Sequence, residues 1–164
     1  MDKACSFTGH RQIKTDHIPH LGALLDRAIK YAYAKGCRTF YTGGAIGFDT
    51  YAAREIIRMR ITHPDIRLVI LIPCYGQDAL WSESQRDAYN HILTNADEVR
   101  YISEEYTPDC MKLRNKVLVE EADILIAYLS RSRSGAGQTV RIAQKLGREV
   151  YNLYPTLEEA AKQE

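Results

Sequence analysis

Arg67-Leu68-Val69-Ile70-Leu71-Ile72-Pro73 holds five apolar residues in unbroken succession. A strand with one wet face alternates apolar and polar residues, whereas a continuous run of this length fits a strand buried on both faces at the centre of a parallel sheet. Parallel neighbours need crossover helices, and helical patterns lie on both sides of the run. Upstream, residues 48–60 read as a helix that packs through Ala52, Ala53, Ile56 and Ile57. Before it stands a strand at 39–42, closed by Gly43-Gly44. A helix at 18–35 has apolar residues at 18, 21, 25, 28, 29 and 32 and a terminating Gly36, and the short strand 5–8 precedes it. Downstream the alternation continues: helix 79–96, strand 98–102, helix 109–121, strand 122–129, helix 138–146 and strand 149–153. A terminal helix follows Pro155, with Thr156 as its expected cap and Glu159 in the capping-box position. The expected fold is therefore α/β, Rossmann-like and doubly wound, with a mostly parallel sheet and helices on both faces. With 164 residues and no linker or low-complexity segment, residues 1–164 are expected to form a single domain.

The bulk composition narrows the function classes. Lys plus Arg number 22 against 21 acidic residues, a formal charge of +1, which gives no long-range field for coating DNA or an anionic membrane. Nucleic acid is thus a disfavoured partner, although a local basic patch is compatible with neutrality. No stretch has the apolar length of a membrane helix, and the N-terminus enters a strand without a signal-peptide core. Cys5, Cys37, Cys74 and Cys110 form no C-x-x-C or Cys/His ligand spacing, so no metal site is expected. Buried reduced thiols and a cytoplasmic address are the expectation.

In open parallel sheets, ligands bind beyond the carboxyl ends of the strands. Four segments arrive there with unusual residues. After the first strand come Thr8, Gly9, His10 and Arg11: a hydroxyl, a close-approach glycine and a forked cation suited to phosphate. After the second, Gly43, Gly44, Ala45 and Gly47 lead to Asp49, a turn whose amides can face an anion; Asp49 either caps the helix or holds a ribose hydroxyl. Arg114 and Asn115 lie on the helix before the strand at 122–129, whose Asp123 needs a partner or caps the sheet edge. The fourth segment, Ser130-Arg131-Ser132-Arg133-Ser134-Gly135-Ala136-Gly137-Gln138-Thr139, joins small residues, hydroxyls and arginines to a helix N-terminus. From it Ser134, Gly135, Gly137, Gln138 and Thr139 are expected at the ligand. Trp81 or Tyr75 offers a ring on which a nucleobase can stack. No phosphate-loop, zinc-protease or nucleophile-elbow motif is present. The catalytic residues are undefined, with His10 and Asp49 as the acid/base candidates.

Taken in order, Thr8-Gly9-His10-Arg11, Thr42-Gly43-Gly44-Ala45-x-Gly47-x-Asp49, Trp81 with Gln85, Arg114-Asn115 with Asp123, and the turn at 134–139 resemble the YpsA-like branch of the SLOG superfamily. These Rossmann-like proteins are related to DprA and to the LOG cytokinin-activating enzymes. The resemblance covers nearly the whole chain. It implies a pocket for a nucleotide or ADP-ribose-like ligand in a sensing or regulatory module, and a homo-oligomer. It also brings two alternatives, a LOG-type nucleotide phosphoribohydrolase or N-glycosidase and a DprA-like single-stranded DNA-binding module. Two departures bear on these. Similar proteins carry Gly-Gly-Thr where this chain has Ser134-Gly135-Ala136, so one hydroxyl is lost at Ala136. The LOG-type motif ends in a catalytic glutamate, and here Val140-Arg141-Ile142-Ala143 follows instead. Work on an N-glycosidic bond wants such a carboxylate, which favours binding over catalysis. On this reading, Arg11→Ala and Arg114→Ala weaken ligand binding and leave the apo melting temperature nearly unchanged.

Overall fold

A computed structural model describes residues 2–130 and 134–163; Arg131, Ser132 and Arg133 of the fourth segment lie outside them. The elements run β1 (Lys3–Gly9), α1 (Ile18–Ala34), β2 (Cys37–Thr42), α2 (Phe48–Met59), β3 (Arg67–Cys74), α3 (Glu83–Asn95), β4 (Glu98–Ser103), α4 (Cys110–Glu120), β5 (Ile124–Tyr128), α5 (Gly135–Lys145), β6 (Glu149–Asn152) and α6 (Tyr154–Lys162). The six strands form one sheet in the order β4-β3-β2-β1-β5-β6. Every neighbouring pair is parallel. Helices α1, α2, α3 and α6 cover one face; α4 and α5 cover the other. The fold is a doubly wound, Rossmann-like α/β sheet.

The period of two along each strand explains how one sequence feeds two cores. Leu68, Ile70 and Ile72 of β3 join Phe40, Phe7 and Cys5 in the larger core beneath α1 and α2, and Val69 and Leu71 point the other way with Tyr41 and Leu118. In β5, Ile124, Ile126 and Tyr128 face the larger core, and Leu125 and Ala127 meet Val119, Val140 and Ala143. The apolar run at 67–73 is thus continuous because both of its faces are covered. Ser6 is the polar residue this alternation turns toward α4. Fully buried, it gives its hydroxyl proton to the Leu118 carbonyl at 2.6 Å.

Four local expectations are amended. Helix α3 begins at Glu83 rather than 79, because Ser82 accepts from the Gln85 amide while Gln85 accepts from the Ser82 amide, a reciprocal cap. Helix α5 starts at Gly135, three residues early, with Ser134 as its cap accepting from Gly137 N at 3.1 Å. Helix α6 starts at Tyr154 with Pro155 in its first turn, where a missing N–H costs nothing; Thr156 is inside the helix and is not its cap. Asp123 precedes β5, is exposed, and accepts from Ala4 N at 3.0 Å, so it ties the β5 entry to the start of β1. All four cysteines are buried and free.

Candidate functional site

Strand order reverses between β1 and β5: successive crossovers move outward from β1 through β2, β3 and β4, then the chain returns to β5 and continues to β6 on the opposite side. At such a point the two loops leaving adjacent strands diverge to opposite faces and open a crevice. A cavity of about 340 Å³ lies there. From β1 and its exit loop it takes Thr8, Gly9, His10 and Arg11; from the β2–α2 segment and the first turn of α2 Ala45 and Asp49; from the cap and start of α5 Ser134, Gly135 and Ala136. Met111, Arg114, Asn115 and Leu118 of α4 complete the wall.

The helix α5 end is ready for an anion. Gly135 and Ala136 are its first two residues, and amides at those positions have no intrahelical acceptor. Arg11 is exposed on the opposite lip. Gly9 can only be glycine here, since a Cβ would stand 2.5 Å from the ring of Phe48, which is fully buried.

Beneath the cavity lies a charged pair of helices' side chains. Arg114, only 6% exposed, donates from Nη1 to the Gly43 carbonyl at 2.6 Å and from Nε to Asn115 Oδ1 at 3.0 Å. Asp49, equally buried, accepts from Ala45 N at 3.2 Å. Burial pushes the Asp49 carboxyl up to about 6, against the opposing pull of Arg114, the Ala45 amide, Arg11 and the Gly43 amide. Arg114 is therefore a brace for the glycine turn as well as a cavity residue, and the expectation that its removal leaves the apo protein unaffected is corrected: a guanidinium bonded to a buried carbonyl is part of the fold.

Asp49 also sets a pH dependence. Its folded value lies above the ordinary carboxylate value of 3.8, so between about pH 4 and 6 the native state keeps a proton that the unfolded state has lost. Stability then falls as pH rises through this window and is level above it. Relative to an Asp49→Asn variant, wild type should lose up to roughly 3 kcal/mol between pH 4 and 7. Paired denaturant titrations across that range measure the difference, and parallel profiles would refute it.

His10 is committed elsewhere. Its Nε2 accepts from Ser130 N at 2.9 Å and lies 3.1 Å from Ser130 Oγ, which joins the exits of β1 and β5. An acceptor Nε2 is unprotonated, and burial lowers the His10 pKa in the same direction. A proton on Nε2 would break this tie.

Other expected residues stand outside the cavity. Gly43 gives its carbonyl to Arg114; Gly44, at φ +67°, donates its amide to Thr42 Oγ1; Gly47, at φ +83°, is the N-cap of α2. Gly137 donates to Ser134, and Thr139, fully buried, gives its hydroxyl proton back to the Gly135 carbonyl at 3.0 Å. Gln138 is half-buried on α5 away from the lining. Trp81 packs edge-on against Tyr89 with centroids 5.1 Å apart, and Tyr75 stacks on Tyr101 at 3.9 Å. Met111, Leu118 and Ala136 line the cavity without having been expected at a ligand.

The model of the YspA SLOG family matches residues 7–154. The chain belongs to the YspA SLOG family. Among similar sequences, a UPF0398 protein of Bacillus cereus (strain G9842) is 28% identical, over 93% of this chain and 89% of its own length. The SPbeta prophage-derived protein YoqJ of Bacillus subtilis (strain 168) is 30% identical over 71% of this chain and 76% of its own. Solved structures share the SLOG fold at lower identity. DNA processing protein A (DprA) of Streptococcus pneumoniae superposes with a TM-score of 0.64 at 17% identity over 91% of this chain, which spans about half (49%) of that protein. DprA of Helicobacter pylori, whose structure is described for its single-stranded DNA binding mode, gives 0.62 at 18% identity over 90% of this chain and 63% of its own. No helix among the described residues of this SLOG chain is long and apolar enough to cross a membrane.

Proposed function

We propose that the protein is a binding module for a phosphate-bearing, nucleotide-derived small molecule, acting as a sensor or regulator. The observation that carries this reading is the switch-point cavity, where the first amides of α5 and the exposed Arg11 face one space. Anionic oxygens satisfy the amides and the guanidinium together, and Thr8 and Ser134 add hydroxyls. His10 is engaged with Ser130, and Ile142 stands where the LOG-type motif has its glutamate, half-buried against Val140 and Ala143. The geometry thus supports binding better than turnover.

Thermal shift with AMP and ADP-ribose as probes tests this. At a hundredfold excess over the dissociation constant, stabilisation should reach about 2.7 kcal/mol, roughly 5–10 °C for a domain of this size. Arg11→Ala should abolish most of that shift and leave the apo melting temperature within about 2 °C, because the side chain is exposed. No shift with either probe at millimolar concentration would defeat the proposal.

Asp49 favours one second reading. A buried carboxyl held near pH 6 on the cavity wall has the character of an acid/base group, as an N-glycosidase needs. Release of free adenine from AMP, lost in Asp49→Asn with AMP binding retained, would establish it. A flat product trace with intact binding would remove it.

A further inference from the structure

Tyr128 ends β5 and is fully buried, yet its hydroxyl is the centre of a polar chain outside the crevice lining. The Lys14 amide donates to it at 3.2 Å, and it lies 2.7 Å from Nδ1 of His17, which is fully buried too. The other ring nitrogen, Nε2, lies 2.7 Å from Glu158 Oε1 on α6, and Lys14 Nζ donates to that oxygen at 2.6 Å. The bonds from Lys14 and His17 hold the Glu158 carboxyl below the usual carboxylate range, so it is an acceptor only. With one proton on the neutral ring, Nε2–H donates to Glu158 and the Tyr128 hydroxyl donates to Nδ1.

The same tyrosine holds the other end of the β1 exit loop. Its carbonyl accepts from His10 N at 3.2 Å, and its ring stacks on Phe48, whose amide donates to the His10 carbonyl. Arg11 follows directly, its backbone against Gly47. Between these anchors and His17, residues 12–16 are exposed except for the half-buried Ile13. The loop thus has a fixed start and a fixed end, and α6 supplies part of the second. Helix α6 has Leu157 as the single buried residue among its nine, which sets it among the elements that open locally most readily.

We infer that Tyr128, His17 and Glu158 are positioning residues for the crevice: they fix the far end of the β1 exit loop and so keep Arg11 on the lip, which couples docking of α6 to occupation of the crevice. This role rests on the proposed function and deepens it, by naming the element that regulates the site. Withdrawal of Glu158 leaves the buried His17 Nε2–H without its acceptor, a state that folded proteins avoid. The imidazole then turns toward water and carries residues 11–16 with it. Binding and docking are reciprocal: whatever factor α6 contributes to ligand affinity, the ligand returns to α6 docking. No residue of α6 lines the crevice, so that return passes through the loop and not through contact.

Titration calorimetry uses AMP or ADP-ribose, whichever wild type binds more tightly. Tyr128→Phe keeps the buried ring and removes the hydroxyl, and should weaken the probe at least fivefold; Glu158→Ala should do the same. Glu158→Gln keeps an oxygen facing His17 and Lys14 and should stay within about twofold of wild type. Glu159→Ala, which breaks the exposed pair with Lys162 on the same helix, should also stay within about twofold. Hydrogen exchange reads the reciprocal effect: saturating probe should slow the α6 amides at least threefold in wild type and not in Tyr128→Phe. Wild-type affinity in both Tyr128→Phe and Glu158→Ala, or α6 exchange that ignores the probe in wild type, would overturn the coupling while the proposed function stands. A loss in Glu159→Ala equal to that in Glu158→Ala would assign the effect to general damage of α6 and overturn it too. Failure of both probes on wild type would overturn both.

Discussion

Gly47→Ala should lower the melting temperature by roughly 6–12 °C, corresponding to about 3 kcal/mol or more. Two independent causes act together at this position. The backbone has φ +83°, where a side chain costs about 1–2 kcal/mol by itself. A Cβ there would also stand 2.2 Å from the Arg11 carbonyl oxygen and 2.6 Å from its Cα, and a backbone cannot rotate away as a side chain does. Relief requires moving the β1 exit loop, which carries His10 and the Phe48 N–H···O=C His10 bond of 3.1 Å. Ligand affinity should therefore fall with stability, as Arg11 is displaced from the cavity lip. Differential scanning calorimetry measures the first effect and probe titration the second. A variant that melts within 2 °C of wild type would show that the loop is free to shift.

Arg114→Ala should cost about 3–5 kcal/mol. The loss is not of an exposed cation. It orphans the buried Gly43 carbonyl and the Asn115 side chain, removes a favourable charge from beside the buried Asp49, and empties a space at the base of the glycine turn. Arg114→Lys should recover only part of this, since an ammonium lacks the fork that reaches Gly43 and Asn115 at once. The Asp49 carboxyl should rise further in Arg114→Ala, which extends the fall in stability with rising pH to higher pH. Urea titration at pH 7 measures the first quantity, and its repetition at pH 5 the second. If Arg114→Ala is as stable as wild type at pH 7, the guanidinium is not a brace.

These residues also show where reading the sequence succeeds. Strands β3 and β5 are legible because burial on both faces leaves unbroken apolar runs at 68–73 and 124–127. The α1 boundary is legible because Gly36, at φ +108°, supplies the conformation that ends a helix. Helix starts are harder. Helices α5 and α6 begin at Gly135 and Tyr154, three and one residues before the helical pattern at Gln138 and Pro155, so the pattern places both late. Ser82 with Gln85 is a readable capping signal for α3, and the apolar pattern alone overruns it. At the site, the turn residues Thr8 to Arg11 and Ser134-Gly135 are legible because loops after parallel strands converge. Met111 and Leu118 have a signal too: they fall at spacings of three and four from Arg114 and Asn115, hence on the same helix face. The burial of Arg114 has none. It depends on Gly43 lacking a side chain 71 residues away.

The topology has a consequence for how the protein comes into being. Strand β1 sits at the sheet's centre, yet its neighbour β5 is joined to it through contacts such as Ala4 with Asp123, 119 residues apart. Strands β1 to β4 can pair in the order in which a ribosome delivers them, each with the one before. The crevice between β1 and β5 does not exist until the last third of the chain has emerged and closed that long loop, the slow kind of step in folding. A ligand held there stabilises finished molecules and offers nothing to nascent ones.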